Sequence, residues 1–97
     1  MRMQISAHGF ELTDELREAV IGEIERLVQS VDRPVNLISV QLYDERGVAA
    51  RGRDRRCQVC VEFDDQVRVE DSDSEASFHD SICEAFTKLM RDELRAH

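Results

Sequence analysis

Alternation of apolar and polar residues along four short segments is the feature of this 97-residue chain that most limits its fold. Successive side chains of a strand point to opposite faces, so an alternating segment has one face to bury and one that stays polar. The pattern predicts four strands, near residues 2–7, 35–43, 55–63 and 67–71. Because each strand has one apolar face, the sheet they form is expected to be covered on one side only.

Two further segments have apolar residues at helical spacing, three and four positions apart. The first follows Thr13, a good N-cap residue, and stops before Pro34, which disfavours helix at the preceding residue. In the second, Ser72 and Glu75 have the spacing of a capping box, and the apolar stripe continues to about Arg95. The sequence therefore predicts the order β-α-β-β-β-α, with the second helix capped by Ser72.

These elements are expected to form a single domain over residues 1–97, because a chain of this length leaves no room for a second one. The fold class is α+β, a two-layer sandwich in which both helices cover one face of a four-stranded sheet. The covered face is predicted to hold the apolar residues Ile5, Val40, Leu42, Val59, Val61 and Phe63. The open face is predicted to hold the polar residues Gln4, Ser6, Gln41, Tyr43, Gln58, Cys60, Glu62 and Arg68.

Two cysteines, Cys57 and Cys60, form a C-x-x-C, a spacing that occurs in redox pairs and in zinc sites. Both lie in the third predicted strand, where residues three apart point to opposite faces, so we expect free thiols. The other candidate metal ligands are scattered singly along the chain: His8, His79 and Cys83. We therefore expect no metal and no cofactor. Since nucleotide-binding and hydrolase motifs are absent as well, we do not expect an enzyme.

Positive charge is concentrated in one segment of a chain that is acidic overall, with 13 Lys and Arg against 21 Asp and Glu. Residues 46–56 have a local charge of +4 because they contain one aspartate and five arginines: Arg46, Arg51, Arg53, Arg55 and Arg56. Guanidinium groups suit bidentate contacts with phosphate. The segment is either a solvated hairpin connection whose arginines pair with Asp44, Glu45 and Asp54, or an anion-binding loop that contacts RNA.

A second basic group is predicted on the last helix, where Lys88, Arg91 and Arg95 are three and four residues apart and share one face. Basic residues near a helix C-terminus also stabilise the helix dipole. The cluster thus has a structural explanation beside the functional one. No segment is long and apolar enough for a membrane-spanning helix or a secretory signal, so we expect a cytoplasmic protein without a membrane partner.

Four stretches together resemble one family and follow its element order over essentially the whole chain: Met3–Glu18, Val40–Gly47, Asp54–Cys57 and Ser81–Leu89. The family is that of the ribosome hibernation promoting factors, also called sigma-54 modulation or ribosome-associated inhibitor proteins. The resemblance implies a stress-response factor that inhibits translation by binding the small ribosomal subunit through ribosomal RNA. The RNA-binding residues it implies are Arg26, Lys88, Arg91 and Arg95 on the helices, beside Arg46, Arg51, Arg53, Arg55 and Arg56.

A different class of function remains open. A divergent member without ribosome binding, acting as a protein-interaction or regulatory module, would fit the net charge of −8 and the open polar face of the sheet. We expect no DNA partner, and the sequence leaves a homodimer open.

Overall fold

A computed structural model gives the structure of residues 1–45 and 55–95. Its elements, in chain order, are β1 (Arg2–His8), α1 (Asp14–Ser30), β2 (Leu37–Asp44), β3 (Arg55–Glu62), β4 (Val67–Ser74) and α2 (Phe78–Arg95). This confirms the predicted order and the α+β class. None of the helices in the described part of the chain is long and apolar enough to cross a membrane.

The four strands form one mixed sheet in the order β1-β2-β3-β4. β1 is parallel to β2, whereas β2 and β3, and β3 and β4, are antiparallel. A parallel pair needs a crossover connection, and α1 supplies it. We call the end of the sheet at His8, Asp44, Arg55 and Ser74 the loop end, because residues 46–54 connect β2 to β3 there. Both helices start at the loop end and run towards the opposite, far end.

The core lies between the two helices and one face of the sheet, as the alternation predicted. The buried side chains are Val20, Ile24 and Leu27 of α1, Ile38, Val40 and Leu42 of β2, Cys57, Val59 and Val61 of β3, Phe78, Ile82, Ala85, Phe86 and Leu89 of α2, and Val35 and Phe63 in the connections. Each large apolar side chain that leaves water in this way contributes roughly 1.5–3 kcal/mol. The strong one-sided burial fixes the face on which the polar residues of the strands stand.

The predicted start of the second helix is wrong. Ser72 lies inside β4, which continues to Ser74, and its side chain is buried. α2 begins six residues later, where the hydroxyl of Ser77 accepts a hydrogen bond from the backbone N–H of Asp80 over 3.1 Å. For α1 the prediction is confirmed, since the Thr13 hydroxyl accepts from the N–H of Leu16 over 3.2 Å.

The prediction that Arg68 stands on the open face is also wrong. Arg68 is paired in register with Val61, so its side chain points towards α2, while Val67 and Val69 are exposed on the open face. There it forms an ion pair with Glu93 in the last turns of α2. A buried carboxylate without a positive partner would be costly, which explains why an arginine occupies this position of the strand.

Glu93 also binds a second arginine, which comes from the connection between α1 and β2. Nε and Nη2 of Arg33 donate to its two carboxylate oxygens over 2.8 and 3.1 Å. The guanidinium carbon of Arg33 lies 3.8 Å from the ring centroid of Phe63, and the group also binds Asp65 in the turn after β3. We call Arg33, Asp65, Arg68 and Glu93 the far-end ion network, because it joins two connections, the strand β4 and the end of α2 at that end of the sheet.

Gly9 ends β1 with a backbone conformation that other residues rarely adopt. Its φ is +87°, and a Cβ atom placed on it would lie 2.7 Å from the carbonyl oxygen of Asp44. Both facts favour glycine, which lacks the side chain that would clash. The chain therefore passes close to the end of β2 before it enters α1.

The two cysteines of the C-x-x-C lie on opposite faces of β3, as predicted. Cys57 is buried in the core, Cys60 is half-buried on the open face, and both are free thiols. Burial raises the pKa of Cys57 to about 12 and also raises that of Cys60. Neither thiol readily forms the thiolate that redox chemistry or metal binding needs.

Candidate nucleic-acid interface

The structure describes six of the nine bases that the sequence analysis assigned to RNA binding. Arg55 and Arg56 lie at the loop end, Lys88 lies beside β4, and Arg26, Arg91 and Arg95 lie on exposed parts of the helices. The remaining three, Arg46, Arg51 and Arg53, lie outside the described residues.

The two arginines at the start of β3 point to opposite faces of the sheet. Nη1 of Arg55 donates to the carbonyl oxygen of Glu75, in the connection between β4 and α2, over 2.8 Å. On the open face, Arg56 makes a bidentate contact with Asp71, with Nε and Nη2 at 2.9 and 2.7 Å from the two carboxylate oxygens. Its Nη1 lies 3.7 Å from Glu45. Both side chains therefore have structural partners, and for Arg56 these are carboxylates.

Next to Arg56 on the open face, the structure shows a contact that the sequence analysis missed. The rings of His8 and Tyr43 are stacked, with centroids 4.6 Å apart and planes inclined by 14°. The guanidinium carbon of Arg56 lies 4.9 Å from the Tyr43 centroid. We call His8, Tyr43 and Arg56 the stacked row. The alternation of β1 extends to His8 and could have placed it on the open face, but only the strand register puts it beside Tyr43.

Lys88 of α2 contacts Asp71, the residue that also binds Arg56. Its Nζ donates to the backbone carbonyl of Asp71 over 2.9 Å and lies 3.7 Å from Glu84. Lys88 and Arg56 line a shallow cavity of about 320 Å³ together with Asp71, Ser72, Asp73 and Glu84. Because three of these six side chains are acidic, the two bases are neutralised locally.

Glu70 faces α2 from the neighbouring position of β4, where its carboxyl group is hydrogen-bonded to that of Asp92. Burial and then this hydrogen bond raise the pKa of Glu70 above its ordinary value of 4.5. A pair of carboxyl groups is tolerated best while it holds a proton. The contribution of Glu70 to stability is therefore full below its ordinary pKa and is lost as the pH rises through the folded value.

We expect Glu70→Gln to raise the melting temperature at pH 7 and to change it little near pH 4, because the amide cannot repel Asp92. Thermal unfolding followed by circular dichroism at the two pH values measures this. Glu18→Gln, at an exposed position of α1, is the matched control and should leave the melting temperature unchanged at both. An equal shift of the Glu70→Gln variant at both pH values would contradict the carboxyl pair.

Arg26, Arg91 and Arg95, on the exposed parts of the helices, are better placed to bind a ligand than Arg56 and Lys88. Arg26 and Arg91 line a groove of about 430 Å³ between α1 and α2, together with Ser30, Thr87, Met90 and Leu94. None of these lining residues is acidic. Arg26 forms an exposed ion pair with Glu23 over 3.0 Å, an interaction worth little in water. Arg91 and Arg95 are exposed and have no ion pair with any residue in the described ranges.

The predicted common face of Lys88, Arg91 and Arg95 is not a single binding surface. Residues three apart on a helix are rotated by about 60° from one another, and this rotation gives Lys88 and Arg91 different neighbours. Lys88 points towards β4 and is paired there, whereas Arg91 points into the groove beside α1. The groove arginines are also near the far end of the molecule, since Arg91 is about 20 Å along α2 from its start at Phe78.

Comparison with known proteins adds to this geometry. The sequence model of the family described as "Sigma 54 modulation protein / S30EA ribosomal protein" matches residues 3–96. No curated protein sequence matches the chain.

Solved structures share the fold at low sequence identity. A ribosomal subunit interface protein from Coxiella burnetii superposes with a TM-score of 0.77 at 13% identity, over 99% of this chain and 97% of the other. The N-terminal domain of Thermus thermophilus Protein Y superposes with a TM-score of 0.77 at 19% identity, over the full length of both chains. At these identities the superpositions establish the shared architecture.

Proposed function

The chain belongs to the sigma 54 modulation protein / S30EA ribosomal protein family, and on that basis we propose that it is a ribosome-associated factor that binds the small subunit through ribosomal RNA. The observation that carries the proposal is the family match, which spans nearly the whole chain. A factor of this kind would inhibit translation in idle or stressed cells by occupying the subunit, so it needs neither a catalytic group nor a cofactor. Its place of action would be the cytoplasm.

The charge distribution supports a local contact with RNA. A net charge of −8 repels the phosphate backbone as a whole, so attraction has to come from arginines that are not neutralised by nearby acids. Arg26, Arg91 and Arg95 meet this condition best in the described part of the chain. The other contribution comes from Arg46, Arg51 and Arg53, in the segment with a local charge of +4.

The proposal predicts salt-dependent binding to isolated small subunits. Each phosphate that is neutralised releases counterions, so the logarithm of affinity falls with the logarithm of salt concentration by about 0.7–0.9 per contact. If all six of these arginines bind phosphate, the slope is at most about −4 to −5. Co-sedimentation with purified small subunits at several salt concentrations measures it.

Two double variants separate the two groups of arginines. Arg91→Glu with Arg95→Glu changes the helix group, and Arg51→Glu with Arg53→Glu changes the loop group. We expect each pair to weaken binding by at least about tenfold and to lower the salt slope, because two phosphate contacts are lost in each case.

The matched control is Arg2→Glu with Arg17→Glu, which makes the same charge change at two exposed arginines outside both groups. It should weaken binding less than either test pair, and its salt slope should equal that of the wild type. Equal losses in all three variants would mean that net charge alone governs binding. Absence of binding by the wild type at low salt would refute the proposal and favour the alternative, a protein-interaction module.

A further inference from the structure

The stacked row on the open face is not explained by the proposed phosphate contacts. His8, Tyr43 and Arg56 come from three adjacent strands and face one another across the sheet at the loop end. Since β2 lies between β1 and β3, Tyr43 has His8 on one side and Arg56 on the other. β1 is an edge strand, and no described strand lies beyond it to cover the second face of the His8 ring. At one end of the stack Arg56 covers the ring of Tyr43, and at the other end the outer face of the His8 ring has no stacking partner among the described residues.

Neighbouring groups hold the members of the stack in place. Oε1 of Gln41 accepts a hydrogen bond from the Tyr43 hydroxyl over 3.1 Å and lies 2.7 Å from Nε2 of His8, which can donate to it. At the other end, the bidentate contact with Asp71 fixes the guanidinium of Arg56. A planar ligand at His8 would meet a surface that is already ordered, which lowers the entropic cost of binding.

On β1, β2 and β3 the sheet surface beside the row is uncharged, although the chain is strongly acidic, and the carboxylates of Asp71 and Glu45 lie at the opposite end of the row, against Arg56. The two adjacent rows across β1, β2 and β3 are Ser6, Gln41 and Gln58, and Gln4, Ser39 and Cys60. Hydroxyl and amide groups of this kind can donate to and accept from the edges of bases, and they do not repel phosphate.

We propose that the stacked row binds an unpaired base of single-stranded RNA, which stacks on the open face of His8 and extends the series Arg56, Tyr43, His8 by one ring. RNA as the partner rests on the proposed function. The stack accounts for the base, and Ser6 and Gln4, the members of the uncharged rows that lie on β1 beside His8, account for its edge and its ribose. Stacking on aromatic side chains is sequence-tolerant, because every base has two flat faces.

The sequence composition makes the site easy to observe. The chain has three histidines and one tyrosine, so the ring protons of His8 and Tyr43 can be resolved by NMR. On addition of a short oligoadenylate, we expect upfield ring-current shifts at His8, smaller shifts at Tyr43, and none at His79. His79 is a suitable internal reference because it lies on α2, away from the stacked row, its side chain is 53% exposed, and it contacts Glu15 over 3.4 Å.

Variants at His8 test whether stacking is the cause. His8→Ala should weaken oligoadenylate binding about 5- to 150-fold, the range expected for the loss of one stacked base. His8→Phe restores a flat ring without a charge or ring nitrogens, and should bind close to the wild type. A duplex RNA of the same length, whose bases are already stacked and paired, should leave the His8 signals unshifted.

Three results would overturn the inference: unshifted His8 signals with oligoadenylate, equal shifts at His8 and His79, or wild-type affinity in His8→Ala. The readout is independent of the ribosome. Wild-type protein that binds small subunits but shows no shift at His8 refutes the stacking site and leaves the proposed function intact. A shift at His8 in protein that fails to bind subunits refutes the proposed function and keeps the site.

Discussion

Replacement of Glu93 by alanine is expected to lower the free energy of unfolding by about 3–5 kcal/mol, the cost of removing one partner from a buried ion pair. Glu93 is 1% exposed and binds two arginines, Arg33 and Arg68, whose side chains are 17% and 21% exposed. Its removal would leave two partly buried guanidinium groups facing each other without the carboxylate between them. Urea unfolding monitored by circular dichroism measures the change.

The same chain offers a matched control for this loss. Glu84 is also an acid on α2, but its side chain is 58% exposed and its contact with Lys88 spans 3.7 Å. Glu84→Ala should change the free energy of unfolding by less than about 0.5 kcal/mol, as exposed ion pairs usually do. Similar losses in the two variants would show that the far-end ion network contributes no more than a surface pair.

A second large effect is expected from a carboxylate placed in the core. Val40 is fully buried on β2, a central strand, and Val40→Asp would put a charge under the helices with no partner among the buried residues described. We expect a cost of about 5 kcal/mol or more, comparable to the total stability of a small domain. The variant should therefore be unfolded at 25 °C, with the loss of its helical circular dichroism signal.

Ser39→Asp introduces the same carboxylate one residue earlier in the strand and is the matched control. Ser39 stands on the open face between Gln4 and Cys60, so the new carboxylate remains in water and has no acidic neighbour across the strands. It should unfold within about 1 kcal/mol of the wild type. Equal losses of unfolding free energy in the two variants would contradict a sheet that is covered on one side only.

The elements with clear periodicity could be predicted from the sequence, and the second half of β4 could not. Alternation revealed β1 and β3, and the spacing of apolar residues with the Thr13 cap revealed α1. In contrast, residues 71–74 are all polar, and they resemble the start of a helix more than a strand. They are a strand because β3 supplies hydrogen bonds to them, and that pairing is a property of the folded chain.

The candidate interface was likewise predicted only in part from the sequence. The sequence identified the basic residues, but it could not tell which of them are neutralised, because the relevant acids are distant along the chain. Arg56 binds Asp71, fifteen positions away, whereas Arg91 has no such partner among the described residues. Arg68 and Glu93 look like ordinary surface charges in the sequence and become a buried pair only when β4 packs against α2.

The parallel pairing of β1 with β2 has a consequence for the order in which the sheet assembles. It joins residues 35 positions apart, such as Arg2 and Leu37, whereas the turn between β3 and β4 joins Glu62 to Val67. Closing the longer loop costs more chain entropy, so the parallel pairing is the slower of the two contacts to form. β1 is therefore expected to dock late in folding and to exchange its amide protons earlier than β3. The edge strand that carries His8 would then separate from the sheet more readily than the other strands. A ligand bound at His8 would slow the exchange of the β1 amide protons.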